Sequence, residues 1–375
     1  MVNLILIYKE DIKLLQKIIF KPMHIKIKFN IYKLTCLLVI SHLSFAQSKF
    51  DSLFKDPKRL TTHKLKLEFS DTLGNKTSLP LLIIKGKNKG KVFTILAGVH
   101  GAEYAPIIAT QELIKELNPN ELVGTIIILP ITNIGSFYTK TPYINPLDNK
   151  NLNRIFPGKK DGTVSEKIVN FISSEIIPIS DVFLDVHSGD ASEDLLPFVC
   201  YYDNKKFSKQ TKITRELCEY SGFENVVSYS YTIKEDEPAQ YAFKQACQAG
   251  KIAFSFESGK LGYLQPEAVK RIKRGFYRIF NKLEMYNSKE VLGQMKFQRL
   301  DRQIYIDSPA KGIFYSKFKA GSKVVKDEII GYITDEFGKT IKKIVSPKTG
   351  VILYMKGTPP TKTGSRLFCI SSYKT

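Results

Sequence analysis

The chain contains no tryptophan and few histidines and cysteines, which limits its options for metal or redox chemistry. Among its 375 residues there are five histidines and five cysteines. No two cysteines have the Cys-x-x-Cys spacing of a cysteine zinc site, so Cys200, Cys218, Cys247 and Cys369 are expected to be buried thiols. The chain also lacks an uninterrupted apolar run of ~20 residues. The sequence therefore predicts no stable membrane span.

The first 46 residues are typical of a secretion signal with an N-terminal extension. Lysines at positions 21, 26, 28 and 33 precede an apolar run over 34–45. Ser44-Phe45-Ala46 then fits a small-x-small cleavage site. We expect a periplasmic or secreted protein. The alternative is a segment that anchors the chain to a membrane.

The chain has few acids relative to bases, with 36 Asp and Glu against 57 Lys and Arg, a net charge of +21. Residues 1–46 hold seven lysines and two acids, or +5, so the remainder keeps +16. These lysines are scattered, without the interleaving of arginines and aromatic residues that favours nucleic acid. We therefore predict a solvated basic surface that can attract anionic substrates, and no nucleic-acid partner.

Strands and helices alternate between residues 60 and 283, beginning with a β-hairpin over 60–85. This alternation predicts an α/β fold, a mixed and mostly parallel sheet with helices on both faces. The predicted strands span 92–97, 125–130, 181–187, 197–202 and 251–257, and the predicted helices span 105–117, 163–176, 207–221, 237–249 and 266–283. Thr163 and Glu166 have the spacing of a capping box.

Helical periodicity stops near residue 293, and short strands separated by turns follow. Ser308-Pro309-x-x-Gly312 and Ser346-Pro347-x-x-Gly350 indicate an internal β repeat. We therefore divide the chain into a signal (1–46), an α/β domain (47–292) and a small β domain (293–375) that forms a barrel or sandwich.

Two glycine-flanked strand ends carry the candidate metal ligands. His100 and Glu103 follow the strand over 92–97, and His187 ends the strand over 181–187. Open α/β sheets bind ligands at this edge. Two His and one Glu with an open position form a catalytic zinc set, so one Zn²⁺ per chain is predicted, although such a set also accepts other divalent ions.

Glu257 ends a third, very apolar strand and is followed by Ser258-Gly259, which leaves room for a substrate. A carboxylate in this position is either the general base for a metal-activated water or the partner of a buried cation. Together with the three metal ligands, it is predicted to be the catalytic base.

The long loop over 145–158 carries Asn153 and Arg154 between apolar anchors. An arginine fork and an oriented amide suit a substrate carboxylate. The alternative is an ordered crossover loop in which Arg154 pairs with an acid. Asp185 or Asp148 is expected to orient a ligand histidine, and the sequence does not choose between them.

The motifs His100-x-x-Glu103, Asn151-Leu152-Asn153-Arg154-x-Phe156-Pro157-Gly158, Asp185-x-His187-x-Gly189 and Glu257-x-Gly259 occur in this order. Together they resemble the succinylglutamate desuccinylase/aspartoacylase family of the zinc-carboxypeptidase-like clan. The resemblance covers residues ~60–290. The C-terminal segment is similar to the lipoyl/biotinyl-like β domain of many members.

The resemblance implies a zinc-carboxypeptidase-like fold, with His100, Glu103 and His187 as zinc ligands. It also implies that Glu257 activates the zinc-bound water and returns its proton to the leaving amine. Asn153 and Arg154 match the residues that hold the substrate carboxylate. Lys140 is nearest to the position where members commonly have an arginine that polarises the scissile carbonyl. A lysine keeps the positive charge of that arginine but lacks its planar fork of N–H donors.

The sequence thus predicts an enzyme, a zinc-dependent deacylase that hydrolyses the amide, or an ester, of a carboxylate-bearing N-acyl amino acid. The first alternative is a carboxypeptidase-like enzyme acting on peptides or cell-wall fragments. The second is a non-catalytic zinc-containing binding protein, in which Lys140 marks lost catalysis. The sequence is also compatible with assembly of the chain into a homo-oligomer. A modified carrier lysine at Lys339 is not predicted, because no methionine adjoins it.

Overall fold

The computed structural model describes residues 48–288 and 296–374. The predicted secretion signal and the boundary between the two predicted domains lie outside these residues, and the domain division stays a prediction. Within the described ranges, no helix is both long and apolar enough to cross a bilayer. The four cysteines of these ranges are free thiols and buried, as predicted: Cys200, Cys218, Cys247 and Cys369.

The helices and strands largely follow the predicted order. The helices are α1 (48–55), α2 (Tyr104–Glu116), α3 (Ile134–Thr139), α4 (Val164–Phe171), α5 (Ile177–Ile179), α6 (Ser208–Tyr220), α7 (Ala242–Gln248) and α8 (Pro266–Lys282). Strands of the first part are β1 (Thr61–Ser70), β2 (Lys76–Lys85), β3 (Asn88–Ala97), β4 (Val123–Leu129), β5 (Ile144–Asn145), β6 (Lys150–Asn151), β7 (Val182–His187), β8 (Glu193–Leu195), β9 (Phe198–Asp203), β10 (Asn225–Ser230) and β11 (Ile252–Glu257). The remaining strands are β12 (Gln298–Asp307), β13 (Gly312–Tyr315), β14 (Lys323–Val324), β15 (Ile329–Thr334), β16 (Thr340–Val345), β17 (Gly350–Lys356), β18 (Pro360–Thr361) and β19 (Arg366–Tyr373).

A 13-stranded sheet forms the frame, in the order β1-β2-β4-β3-β7-β11-β9-β10-β12-β19-β17-β14, with β8 paired to β17. Its centre, from β4 through β3 and β7 to β11, is parallel. The β1–β2, β2–β4 and β11–β9 pairs are antiparallel. Alternate residues face two apolar cores: Phe183 packs in the core with α4 and α7, whereas Leu184 packs with α2 and α8. The predicted mixed sheet with helices on both faces is confirmed.

Two helix predictions were refined by the structure. The predicted capping box of Thr163 and Glu166 begins α4, and a π-helical turn over Ile172–Ile176 carries the chain into α5. The helix predicted from residue 237 begins only at Ala242. Gln240 has a φ of +69° and pairs its backbone with Phe156 in an isolated bridge, so the helix cannot extend back across it.

The C-terminal strands continue the main sheet, because β12 pairs in parallel with β10. A four-stranded sheet, β16-β15-β13-β18, packs against β17 and β19 around Phe314, Ile333 and Phe368. This agrees with the predicted sandwich. The repeat is also real: Ser308 and Ser346 each hydrogen-bond the carbonyl two residues ahead, at 2.8 and 2.7 Å, just before β13 and β17 begin.

Candidate active site

Strands β7 and β11 bring His187 and Glu257 side by side. The two strands are parallel, with Asp185 opposite Ser255 and His187 opposite Glu257. Because side chains alternate along a strand, all four project from the face that also carries Phe183. The sequence spacing therefore places the predicted base one strand away from a predicted ligand.

The loop after β3 adds His100 and Glu103 to this edge. Nδ1 of His100 lies 2.7 Å from Oε1 of Glu103, and Nδ1 of His187 lies 2.8 Å from Oε2. One ligand atom from each of the three residues fits within 4.8 Å of the others. Although burial alone would raise the pKa of Glu103, the two imidazoles lower it to about 2. The carboxylate is therefore ionised between two nitrogen donors.

Asp185, and not Asp148, lies behind one of the predicted ligand histidines, His187. Oδ2 of Asp185 lies 3.0 Å from Nε2 of His187, an ion-pair distance without regular hydrogen-bond alignment. Asp148 instead accepts hydrogen bonds from Ser165 at the start of α4. Burial alone would lower the pKa of His187, but Asp185 and Glu103 raise it well above 6.5. Asp185 thus lies beside Nε2 of the ring, while Nδ1 faces Glu103.

Glu257 is half-buried, and no side chain or backbone group of the described residues hydrogen-bonds its carboxylate. Burial raises the pKa of Glu257 well above its usual range; the neighbouring Glu103 and Glu193 add to this effect, while His187 opposes it. An unpaired carboxyl whose affinity for protons is raised is suited to proton transfer.

Glu193 is a residue that the sequence analysis missed. It is half-buried in β8 and interacts electrostatically with Asp190, Glu103, His187 and Arg154. Burial, followed by the repulsion from Asp190 and Glu103, raises the pKa of Glu193 to about 8. The available signal was the run of acids at 190, 193 and 194 directly after the His187 motif.

The predicted substrate-binding residues occupy different environments. Asn153 is buried, accepts a hydrogen bond from the Ala242 N–H at 2.9 Å, and points its Nδ2 at Nε2 of His187, 3.4 Å away. Arg154 is exposed, with its guanidinium 4.7 Å from the centre of the Tyr241 ring. Lys140 is exposed at the end of α3, and the structure assigns its side chain no contact with the three ligands.

The donor set fits a zinc ion by its chemistry. Two imidazole nitrogens and a carboxylate are the ligands of many catalytic zinc sites, and a carboxylate behind one imidazole is typical of them. Nε2 of His100 is buried without a hydrogen-bond partner among the described residues. Without a metal, the same three groups form an ion-paired cluster. A mixed α/β sheet with such a set at its strand ends has the arrangement of a ligand-binding or catalytic site.

Comparisons with known proteins identify the family. The model of the succinylglutamate desuccinylase/aspartoacylase catalytic domain family matches residues 89–283, more than half of the chain's 375 residues. The chain belongs to this family, as the sequence motifs predicted, and the family makes it a hydrolase of the deacylase class.

Individual relatives agree with this assignment. An N-alpha-acetyl-L-2,4-diaminobutyric acid deacetylase from Halomonas elongata is 26% identical over 280 residues, which cover 72% of this chain and 78% of the relative. The fold resembles that of a succinylglutamate desuccinylase from Silicibacter sp. TM1040, with a TM-score of 0.76, 22% identity, and 85% and 96% of the two chains covered. The product-bound ectoine utilization protein EutE (DoeB) from Ruegeria pomeroyi gives a TM-score of 0.74 at 21% identity, covering 84% and 96%.

Proposed function

We propose that the protein is a zinc-dependent deacylase that hydrolyses the amide bond of an N-acyl amino acid. The observation that carries the proposal is Glu103, held 2.7 and 2.8 Å from two imidazole nitrogens, with Glu257 opposite His187 on the next strand. Membership in a deacylase family and the Halomonas relative, whose name describes an N-acetyl amino acid deacetylase, support it.

His100, Glu103 and His187 would hold the metal, with Asp185 fixing the His187 ring. The chemistry that a zinc ion would supply there is Lewis acidity, for polarising an acyl carbonyl and making water a stronger acid. The chain's own contribution is the ionised Glu103, which lies between the two imidazole nitrogens and would anchor the cation.

Glu257 would act as the general base and then as the general acid. Its carboxylate has no hydrogen-bond donor of its own among the described residues, so it is available to accept a proton from water. Burial raises the pKa of Glu257, which favours the protonated carboxyl that would donate to the nitrogen of the leaving amine.

Arg154 would bind the substrate carboxylate, because its exposed guanidinium lies over Tyr241 and keeps donors free for a bidentate contact. Asn153 accepts a hydrogen bond from the Ala242 N–H, so it would fix the loop that presents Arg154. A direct contact of Asn153 or Lys140 with substrate stays a prediction.

The proposal is tested by assaying the purified protein on N-acetyl amino acids and on N-terminally blocked peptides with a free C-terminus. Each assay is repeated after the metal has been removed with a chelator and again after zinc has been added back. We expect hydrolysis of the N-acetyl amino acids, lost with the chelator and restored by zinc. Faster hydrolysis of the peptides would favour a carboxypeptidase-like enzyme. A zinc-loaded protein that cleaves neither would be a binding protein.

We also propose that the protein acts in the periplasm or outside the cell, because residues 21–46 have the basic, apolar and small-residue regions of a signal. The intact mass of the protein recovered from the periplasm or medium tests this. A mature chain that begins at Gln47 supports export, and an unprocessed chain in the cytoplasm contradicts it.

A further inference from the structure

Strand β1 gives the main sheet a long open edge within the part of the chain that the structure describes. It is the first strand in the order of the 13-stranded sheet, and β2 pairs with one side of it. The strand at the other end of the order, β14, has two residues, whereas β1 has ten. A long open edge is a template for pairing with another strand unless the protein blocks it.

Two contacts show which residues of β1 turn their backbone groups away from β2. The Asp71 N–H donates to the Asn75 carbonyl at 3.1 Å and closes the hairpin, so the odd-numbered residues before it pair with β2. The Ser70 carbonyl instead accepts a hydrogen bond from the Lys167 ammonium at 2.7 Å. The even-numbered residues of 62–68 therefore point their N–H and C=O groups outwards. No other backbone segment of the described chain hydrogen-bonds these groups.

The same residues carry charges of both signs on the solvent face of the strand. Lys64, Lys66 and Glu68 are exposed and alternate with buried apolar residues. Their neighbours across the ladder in β2 are uncharged: Leu82, Pro80 and Ser78, in that order. None of the three joins an ion pair among residues 48–288 and 296–374. The edge thus combines free backbone groups with charges that have no partner in the same chain.

The edge of the smaller sheet differs in its charges. Strand β16 is outermost in the four-stranded sheet and carries Lys342 and Lys343 but no acid. Two copies of β16 would bring lysines together, which keeps such an edge unpaired. In β1, Glu68 follows Lys66 by two residues, so a second copy of the same strand can satisfy both charges.

We propose that two copies of the protein pair through β1, in antiparallel orientation, about a two-fold axis at Leu67. Lys66 of each copy then lies opposite Glu68 of the other, where the two residues exchange backbone hydrogen bonds and form a cross-strand ion pair. An axis at Lys66 would set two lysines opposite each other, and an axis at Leu65 would oppose Lys64 to Lys66. The axis at Leu67 is the one that gives each Glu68 a lysine without opposing like charges. Such a self-complementary contact closes a dimer.

Sedimentation of the purified protein over a concentration series tests the proposal, and we expect a dimer. Glu68→Lys sets lysines opposite each other at both pairs, so the dissociation constant should rise roughly tenfold or more. Glu68→Lys combined with Lys66→Glu should restore the dimer, because opposite charges again face each other. The control is Lys342→Glu, the same kind of charge reversal on the edge of β16, which should leave the dimer unchanged.

A second variant tests the backbone pairing itself. Lys66→Pro removes an outward N–H that β2 does not use, since Lys66 lies opposite Pro80 in a pair without hydrogen bonds. It should dissociate the dimer while the hairpin of β1 and β2 stays folded. Hydrolysis should be unchanged in all of these variants, because β2 and β4 separate β1 from β3, which leads to the His100 loop.

Three results would overturn the proposal. A protein that is monomeric throughout the series would mean that Lys64 and Lys66 only block the edge. A dimer that survives both Glu68→Lys and Lys66→Pro would have its interface elsewhere. A double variant that stays as dissociated as Glu68→Lys would contradict the axis at Leu67. None of these results bears on the proposed deacylase function, because the measurement uses no substrate.

Discussion

The α/β part of the chain, up to β11, and the C-terminal part, from β12 onward, differ in what their strands and turns present. In the α/β part, β7 and β11 end on the half-buried or buried ionisable residues His187 and Glu257. In the C-terminal part, the turn between β15 and β16 of the four-stranded sheet presents Phe337 and Lys339 to solvent, with Phe337 96% exposed. The ionisable residues are thus concentrated at one edge of the main sheet, whereas the C-terminal part supplies β17, which pairs with β8 near that edge.

The strongest test of this contrast replaces Glu257 with Gln. The amide cannot accept a proton, so we expect kcat for the best N-acyl amino acid to fall by about 10²–10⁴. Metal content should be unchanged, because Glu257 is not one of the three clustered ligands. Steady-state kinetics with metal analysis measure both, and Glu336→Gln is the control. Activity within about tenfold of the original would remove Glu257 as the base.

A smaller effect is expected when the support of the edge is disturbed. In Gly189→Ala, the new Cβ would lie 2.4 Å from the Glu193 carbonyl oxygen and force the backbone to shift. We expect a loss of about 1–3 kcal/mol in the free energy of unfolding, measured in urea. A variant as stable as the original would show that the segments around Gly189 and Glu193 do not pack as described.

The pH dependence of the metal-free protein gives the next largest effect. The folded state keeps a proton on Glu193 up to about pH 8, whereas the unfolded chain releases it near the ordinary 4.5. Stability therefore falls as the pH rises between these values. Relative to the original, Glu193→Gln should gain about 1–2 kcal/mol on going from pH 5 to pH 9, a value reduced for partial solvation. Parallel stability curves for the two proteins would contradict the buried acid cluster.

The smallest effect is expected in the C-terminal turn. Lys339→Ala should leave the rate of hydrolysis unchanged, because the turn over 335–340 is exposed and the ionised groups of the site lie elsewhere. Intact mass should also show no modification on Lys339. A modified Lys339, or a large loss of activity in the variant, would give the C-terminal sheet a chemical role of its own.

The sequence predicted the elements whose residues carry a local pattern. Apolar runs next to glycines predicted β3, β7 and β11, and with them the convergence of His100, Glu103 and His187. Glu257 could be placed because parallel strands that end in register bring their last residues together.

The contacts that the sequence missed join residues far apart in the chain. Strand β8 has only three residues, and it is defined by its pairing with residues 354–356. No local sequence pattern predicts a strand of this kind. Strand β10, with polar residues after Val227, was overlooked for a similar reason. Asp148 does not orient a histidine because it accepts a hydrogen bond from the Ser165 hydroxyl at the start of α4, and the sequence does not predict that contact. Asp185 therefore could not be chosen over Asp148 from the sequence.

Metal content of the purified protein, measured beside His187→Ala and His63→Ala, tests the central claim most directly. His187 faces Glu103 at 2.8 Å, while His63 lies in β1 and is absent from the cluster. We predict about one zinc per chain in the original and in His63→Ala, and a loss of the zinc in His187→Ala. A protein that takes up no zinc when supplied with it, or one whose zinc survives His187→Ala, would contradict the proposed metal site.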